Sequence, residues 1–312
     1  MVRSLSSRRV AVTGPTGFIG MHLLRGLHAA GAEIVAIVEA GRHVERLHAL
    51  PFLLEQILVD DRSRIGDAIR QTKPDAVIHL SAFVSTDRSL AALDASLREN
   101  LLPTVSLLSA AAEVQMARVI LLGSCEEYSQ KASPFNTSLA TDPSSPYGAS
   151  KAAATAYARM FSNSFKLPTI VLRPSVVYGP GQSDRMLISQ VMKSLSQNHA
   201  VDVTAGEQTR DFIYVEDLVD AILHSLTVPT ALGDIWNIGS GEVVTVRDCL
   251  ERIERLTGRT GLIHYGKRPY SENEIFRYQL QVEGTFAAFG WKPSVTLDQG
   301  LQKTWESFRD KV

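Results

Sequence analysis

A tyrosine and a lysine four residues apart, Tyr147 and Lys151, are the side chains whose types and spacing could transfer a proton. They follow Ser145-Pro146, a start signal in which the serine caps a helix and the proline takes its first position. In a helix over 147–165 both side chains would project from the same face, one turn apart. Because a nearby positive charge lowers the pKa of a phenol from about 10 toward neutrality, the pair predicts general acid/base chemistry.

A glycine-rich turn predicts a nucleotide site. The apolar run at 9–13 reads as a strand, Gly14, Gly17 and Gly20 follow it, and a helical pattern comes next. This spacing lets the backbone turn tightly, approach a pyrophosphate and place it at the positive end of a helix dipole. Glu39 ends the second predicted strand, nineteen residues after Gly20, where a carboxylate would meet the adenosine ribose.

The sequence leaves open whether the dinucleotide is NAD or NADP. Glu39 favours NAD through the ribose hydroxyls, whereas Arg42 or Arg46 could meet the 2′-phosphate of NADP. Asp61 follows a strand and could accept from the adenine amine or simply terminate the strand. The residues predicted to contact NAD(P)(H) are Gly14, Gly17, Phe18, Ile19, Gly20, Glu39, Arg42, Asp61, Ser81, Tyr147 and Lys151.

Strand-like runs alternate with helical stretches through the first half of the chain. Runs at 9–13, 34–38, 56–59, 76–80, 119–122 and 169–172, with helices at 90–114 and 147–165, predict an α/β fold with a doubly wound parallel (Rossmann) sheet. Ser124 follows the run at 119–122, and ligands of such sheets lie outside the carboxyl ends of the strands. We therefore expect Ser124 at the cleft with Tyr147 and Lys151. His79, inside an apolar run, is expected to be buried and hydrogen-bonded rather than catalytic.

Composition narrows the choice of partners. The chain has 312 residues, 32 basic and 33 acidic, with no long block of one sign. This balance argues against nucleic acid or a membrane surface as the main partner and favours a small ligand. Cys125 and Cys249 form no metal-binding spacing, so we expect no metal site and a reducing cytoplasm. The sequence also contains neither a signal-peptide pattern nor a run of 18 apolar residues.

Taken together, the motifs resemble the extended short-chain dehydrogenase/reductases that act on nucleotide sugars. They are Thr13-Gly14-x-x-Gly17-x-x-Gly20, Ser124 four residues before Tyr128, Tyr147-x-x-x-Lys151, Leu172-Arg173-Pro174 with Tyr178-Gly179-Pro180, and Arg210-Asp211-Phe212-Ile213-Tyr214-Val215-x-Asp217. The segments at 123–128 and 179–182 are most similar to the GDP-4-keto-6-deoxymannose reductases. The sequence departs from the family at Val176, where an asparagine often contacts the sugar diphosphate, and at Ser129, where glycine is usual.

The resemblance implies roles for the site residues. Tyr147 would be the general acid/base, Lys151 would lower its pKa and hold the nicotinamide ribose, and Ser124 would hydrogen-bond the reacting oxygen. A nucleoside-diphosphate sugar is the implied substrate, with its diphosphate between Arg210 and Arg268. Of the turn carboxylates Glu126 and Glu127, only one need face inward, and we assign Glu126 to the substrate.

The resemblance also implies how the chain is divided and assembled. We expect a Rossmann domain at 1–178, to which 212–240 returns, and a smaller interleaved C-terminal substrate-binding part at 179–211 and 241–312. A homodimer through helices near 97–114 and 147–165 is implied as well, although the same faces could be internal core.

The expected reaction is reduction of the C4 ketone of a 4-keto-6-deoxy nucleotide sugar. A redox-neutral 4-epimerase or 4,6-dehydratase is the first alternative. Related dehydratases often carry Asp-Glu or Ser-Glu after the catalytic hydroxyl, whereas Cys125-Glu126 keeps only the glutamate. An alternative from another class is a non-catalytic NAD(P)-sensing regulator, which the intact Ser124, Tyr147 and Lys151 argue against.

Overall fold

The computed structural model describes residues 4–85, 87–128, 133–229, 232–271 and 274–309. Ser129, one of the two departures from the family pattern, lies outside these ranges. The strands are β1 (Arg9–Thr13), β2 (Glu33–Glu39), β3 (Glu55–Val59), β4 (Ala76–His79), β5 (Arg118–Leu122), β6 (Thr169–Pro174), β7 (Val176–Tyr178), β8 (Val201–Asp202), β9 (Thr209–Tyr214), β10 (Asp234–Ile238), β11 (Val243–Thr245) and β12 (Ile263–His264). The α-helices are α1 (Phe18–Ala29), α2 (Glu45–His48), α3 (Ile65–Thr72), α4 (Ala92–Ser96), α5 (Leu102–Glu113), α6 (Pro146–Phe165), α7 (Leu187–Ser196), α8 (Val215–Ser225), α9 (Val246–Thr257), α10 (Glu283–Phe289) and α11 (Leu297–Arg309).

A seven-stranded parallel sheet forms the centre of the molecule. Its strand order is β10-β6-β5-β4-β1-β2-β3, and every neighbouring pair is parallel. The inner strands are apolar on both faces because helices cover both sides of the sheet. The predicted α/β doubly wound fold is confirmed.

The order of the strands determines where a ligand can bind. The sheet runs outward from β1 through β2 and β3 on one side and from β4 through β5 and β6 on the other. At such a switch point the connections after neighbouring strands diverge and leave a crevice at their carboxyl ends. Gly14 follows β1, Ser81 lies just beyond β4, and Ser124 lies just beyond β5, so all three reach this edge.

Two apolar layers hold the helices on the sheet. Leu23, Leu24 and Leu27 of α1 belong to a cluster that includes Leu218 and Ile222 of α8. On the opposite face, residues of α3, α5 and α6 share a second cluster with the sheet. In the part of the chain that the structure describes, every helix is too short or too polar to cross a bilayer.

The C-terminal half adds a second, smaller sheet. Here β9 pairs with β7 in parallel and with β11 in antiparallel fashion, beside an apolar cluster to which α7, α9 and α11 contribute. Of the segment 212–240 that was expected to return to the Rossmann domain, the end of β9 therefore lies in this small sheet, whereas β10 joins the main sheet beside β6. Short-range apolar pattern cannot distinguish the two sheets. The functional division of the chain at 178 and 211 stays a prediction.

A π-helical segment interrupts the helix predicted over 90–114. Leu97–Leu101 connects α4 to α5 and contains the buried Asn100. The amide of Asn100 donates to the Phe83 carbonyl at 3.1 Å and to the Ser150 hydroxyl at 2.9 Å. This irregular turn thus ties the segment after β4 to the start of α6.

Candidate active site

The glycine turn is shaped by contacts that a side chain would block. Gly14 has φ +66°, and a Cβ there would lie 2.9 Å from the Ser81 backbone nitrogen. A Cβ on Gly20 would lie 2.3 Å from the Gly14 carbonyl oxygen. Gly14 thus lets β1 approach β4, and Gly20 lets α1 pack on the turn.

The amino end of α1 is open to an anion. Gly17 is its N-cap and brings no side-chain hydrogen bond, and the first turn contains no acidic residue. The exposed N–H groups and the positive end of the helix dipole therefore fit the diphosphate of a dinucleotide. Phe18 and Ile19 begin the helix, so their backbone N–H groups belong to this end.

A cavity of about 250 Å³ lies beside the turn and brings together several predicted residues. Gly14, Gly17, Glu39, Arg42 and Ser81 line it. Phe18, Ile19 and Gly20 do not line it; they form the first helical turn behind it.

Asp61 is not among the residues that line the cavity either. Its exposed carboxylate accepts from the Ser63 N–H at 2.7 Å and caps the 3₁₀ turn Arg62–Arg64. Hydrogen bonds from Ser63 lower the pKa of Asp61, which keeps it a capping anion. This geometry matches the alternative interpretation of Asp61 as the residue that terminates a strand.

Two arginines hold the carboxylate of Glu39. Its Oε2 accepts from Arg42 Nε at 3.0 Å and from Arg62 Nε at 2.9 Å. Arg62 also pairs with Glu99 at 3.1 Å. Sequence reasoning missed Arg62, although its place just after β3, at the shared carboxyl edge of the sheet, is a usable signal.

The helix that carries Tyr147 and Lys151 begins as predicted. The Ser145 hydroxyl accepts from the Gly148 N–H at 3.0 Å, and Pro146 takes the first helical position. Lys151 is buried, and its Nζ donates to the Leu122 carbonyl at the end of β5 at 2.8 Å. The same Nζ lies 5.9 Å from the centroid of the Tyr147 ring.

The pKa of Tyr147 differs in direction from the expectation. Burial raises the pKa of Tyr147 above 10, Glu126 raises it further, and an interaction with Ser124 lowers it. Burial lowers the pKa of Lys151 to about 8. Burial is the largest cause of this direction, and the Lys151 ammonium hydrogen-bonds the Leu122 carbonyl. The neutral phenol is therefore the favoured form of Tyr147 in this structure.

Ser124 caps a turn and also interacts with Tyr147. Its hydroxyl accepts from the Glu126 N–H at 3.1 Å and so caps the turn Cys125–Glu127. The same hydroxyl interacts with Tyr147. The structure thus brings Ser124, Tyr147 and Lys151 together at the carboxyl end of β5.

The residues after Ser124 have three different environments. Cys125 is buried, and burial raises the pKa of its thiol to about 12. Glu126 is half-buried and its Oε2 accepts from the Ser145 hydroxyl at 2.9 Å. Glu127 is fully buried, so it is not an ordinary solvated turn residue. Of the two glutamates, the one that faces the interior completely is Glu127.

The two predicted diphosphate arginines have different environments. Arg210 is half-buried, donates to the Ile275 carbonyl at 2.8 Å and forms an ion pair with Glu274. Arg268 is exposed, and among the described residues its guanidinium has no hydrogen-bond partner. Val176 lies in β7 opposite Phe212, packed against the apolar cluster beside the small sheet, so it offers no polar contact.

His79 is buried and structural, as predicted. Its Nδ1 bonds the Thr13 hydroxyl at 2.7 Å and its Nε2 the Thr104 hydroxyl at 3.1 Å. Burial lowers the pKa of His79 to about 3, so the ring is neutral. Across the described residues, no three His, Cys, Asp or Glu side chains come together as a metal-binding group.

The fold and this site define a class: the chain belongs to the NAD-dependent epimerase/dehydratase family, whose model matches residues 10–239. The resemblance to the extended short-chain dehydrogenase/reductases of nucleotide sugars is thereby confirmed. The chain is 29% identical to dTDP-glucose 4,6-dehydratase 1 of Escherichia coli, covering 96% of this chain and 92% of the relative. It is 28% identical to UDP-glucose 4-epimerase of Mycolicibacterium smegmatis, covering 97% and 99%.

A solved structure gives the same result for the fold. MoeE5 in complex with UDP-glucuronic acid and NAD superposes with a TM-score of 0.86 at 27% identity, over 97% of this chain and 100% of that one. The similarity thus extends through the small sheet and the C-terminal helices.

Proposed function

We propose that the protein reduces the C4 ketone of a 4-keto-6-deoxy nucleoside-diphosphate sugar. Bound NAD(P)H would supply the hydride. Tyr147 would give its proton to the oxygen at C4, and the Ser124 hydroxyl would hydrogen-bond the same oxygen. Lys151, cationic at pH 7, would stabilise the phenolate left behind.

The residue that follows Ser124 carries this proposal. Related dehydratases often have an aspartate or a serine between the catalytic hydroxyl and the glutamate, whereas this chain has Cys125 at that position. Loss of water by 4,6-dehydration needs a further acid/base group, and the buried Cys125 thiol is not one.

Redox-neutral 4-epimerisation is the second candidate, because epimerases are among the relatives of this chain. Ser124, Tyr147 and Lys151 would do the same proton work in that reaction. The two candidates differ in whether added cofactor is consumed.

The cofactor proposal is NAD(P)(H), with both forms accepted. MoeE5, a structural neighbour, binds NAD. Here, however, Arg42 and Arg62 flank Glu39, and a 2′-phosphate could replace its carboxylate between the guanidiniums. We expect Arg42→Ala to weaken NADP(H) more than NAD(H) in a fluorescence titration. An equal loss of affinity for NADP(H) and NAD(H) would show that Arg42 does not bind the 2′-phosphate.

We also propose a homodimer. Apolar side chains on adjoining helical segments are exposed: Leu97 and Leu102 at 49% and 55%, and Tyr157 and Met160 at 41% and 39%. These faces lie on the helices predicted to form a four-helix contact, and exposed apolar patches often mark such contacts. Sedimentation velocity should give the mass of a dimer, and Met160→Glu should give a monomer. A wild-type monomer at micromolar concentration would contradict the proposal.

A reducing cytoplasm is the proposed compartment. Both cysteines, Cys125 and Cys249, are free and buried in the described structure. Nothing in the fold therefore depends on an oxidised pair.

The stoichiometry of cofactor oxidation tests the proposed reaction. Purified enzyme is mixed with TDP- or GDP-linked 4-keto-6-deoxyhexose and a limiting amount of NADPH or NADH. We expect one cofactor oxidised for each ketone consumed. Conversion of UDP-glucose or dTDP-glucose with only a catalytic amount of cofactor would contradict the reductase proposal and support a redox-neutral reaction.

A further inference from the structure

A carboxylate with no assigned role lies beneath the site. Glu127 is 0% exposed and both of its oxygens are occupied. Oε1 accepts from the Ser124 N–H at 2.9 Å. Oε2 accepts from the Thr155 hydroxyl at 2.8 Å and from Arg173 Nη2 at 2.7 Å. A single side chain therefore joins the turn of Ser124, helix α6 and strand β6.

The surrounding residues make room for this carboxylate. A Cβ on Gly123 would lie 2.5 Å from Glu127 Oε1, so a larger residue there would displace the carboxylate. Arg173 is 2% exposed and lies over the ring of Tyr128 at 4.6 Å. The Tyr128 hydroxyl in turn donates to Asn237 of β10 at 2.8 Å. The contacts that hold the Ser124 turn thus reach two neighbouring strands of the main sheet, β6 and β10.

The charge of Glu127 also acts on Lys151. Thr155, which holds the carboxylate, is one helical turn beyond Lys151, and both border a small internal cavity with His79. His79 on β4 is neutral, Tyr147 on the same helix is neutral, and Arg173 on β6 is paired with Glu127. Glu126, the other carboxylate of the turn, bonds Ser145. Against the lowering by burial, Glu127 is the group that favours the charged lysine.

We propose that Glu127 is a positioning residue of this active site, which fixes the Ser124 turn against the helix of Tyr147 and Lys151 and whose negative charge is required there. The inference rests on the proposed function of Ser124, Tyr147 and Lys151. Glu127 is fully buried, so we assign it no direct contact with substrate or cofactor. Its effect passes through the backbone of Ser124 and the charge of Lys151.

The variants must distinguish the effect of the Glu127 charge on the active site from its effect on the stability of the fold. Glu127→Gln alone leaves Arg173 buried without a counter-ion, which destabilises the fold. The informative protein is therefore Glu127→Gln combined with Arg173→Gln, a neutral pair that can still hydrogen-bond. Asp217→Asn is the matched control, because Asp217 is a buried carboxylate of α8 that accepts from the Ser294 and Val295 N–H groups, with no hydrogen bond to the site.

The first measurement is the titration of Lys151 by NMR on protein labelled with ¹³C-lysine, with the signal assigned from Lys151→Met. We expect a midpoint near pH 8 in the wild type. The double variant should titrate about one pH unit lower, since an opposite charge nearby favours the protonated form. Asp217→Asn should leave the midpoint unchanged. An unchanged midpoint in the folded double variant would overturn the role of the charge.

The second measurement is turnover with TDP-4-keto-6-deoxyglucose and NADPH. We expect kcat of the double variant to fall roughly 10- to 100-fold, the usual cost of a misplaced catalytic group, with KM nearly unchanged. Unchanged kcat would contradict the inference. If wild type reduces no keto sugar while the Lys151 midpoint still shifts, the proposed reaction is wrong and the effect of Glu127 on Lys151 stands.

If the double variant does not fold, Thr155→Val is the variant used for the kinetic measurement. It removes only the hydroxyl that ties Glu127 to α6. Lower kcat at constant KM would support positioning, and unchanged kcat would overturn it.

Discussion

The two sides of the crevice at Ser124 are built in different ways. On the nucleotide side, backbone groups form the site: Gly14 and Gly20 make close contacts, and the amino end of α1 is open. On the side of the small sheet, the groups expected to bind are long side chains, and Glu274 holds one of them, Arg210. A backbone site is complete once the sheet has formed, whereas a site of long side chains depends on which partners they have.

The largest loss of turnover is expected from substitution of Tyr147, on helix α6. Tyr147→Phe removes the phenol proton but keeps the ring, so turnover should fall roughly 10²- to 10⁴-fold, the usual worth of a positioned acid/base. Melting temperature and NAD(H) affinity should stay near those of the wild type. Near-normal turnover in a folded variant would show that Tyr147 is not the acid/base of the reaction.

The arginines test the substrate side. Charge-assisted hydrogen bonds contribute about 1.5–3 kcal/mol, so Arg210→Ala should weaken UDP- or TDP-sugar binding by about 10-fold or more. Arg268→Ala should weaken it as well, and neither variant should change NAD(P) affinity. Calorimetric titration with both ligands measures this.

Glu274→Gln is the control for Arg210, because it breaks the ion pair and leaves the guanidinium in place. Sugar-nucleotide binding should then be retained or strengthened. Loss of cofactor affinity in Arg210→Ala, with sugar-nucleotide affinity intact, would show that this arginine belongs to the other ligand.

Substitutions of two helical glycines test the nucleotide side, which is formed by backbone groups. Gly20→Ala places a Cβ 2.3 Å from the Gly14 carbonyl oxygen, whereas Gly284→Ala in α10 meets nothing within 4 Å. Overpacking costs about 1–3 kcal/mol, so Gly20→Ala should lower Tm by several degrees and weaken NAD(H). Gly284→Ala should be neutral or slightly stabilising. Equal behaviour of the two variants would contradict the close contact.

The smallest effect is expected for Glu126→Gln. The carboxylate accepts a hydrogen bond from Ser145, and an amide oxygen can replace it there. A reductase needs no further acid/base group at this position, so most activity should remain in the same turnover assay. Complete loss would favour an elimination in which Glu126 takes a proton.

Residues at the strand ends could be predicted from the sequence because parallel strands bring their carboxyl ends to one edge. Gly14, Glu39 and Ser124 follow from that rule, and the helix of Tyr147 follows from its serine cap and proline. The order of the strands then determines which of these residues share the crevice.

Other features depend on partners far along the chain. The burial of Glu127 depends on Arg173, 46 residues later, and the ion pair of Arg210 depends on Glu274, 64 residues later. The direction of the Tyr147 pKa depends on burial by the assembled fold. A spacing of four residues on a helix does not determine these contacts.

Transfer of deuterium from the cofactor to the sugar tests the central claim most directly. The enzyme is incubated with NADH or NADPH that carries deuterium at nicotinamide C4, on each face in turn, and with a 4-keto-6-deoxy nucleotide sugar. We expect ¹H and ²H NMR of the product to show one deuterium at sugar C4, from one face only. A product without deuterium from either cofactor, formed while the added cofactor stays reduced, would contradict the account.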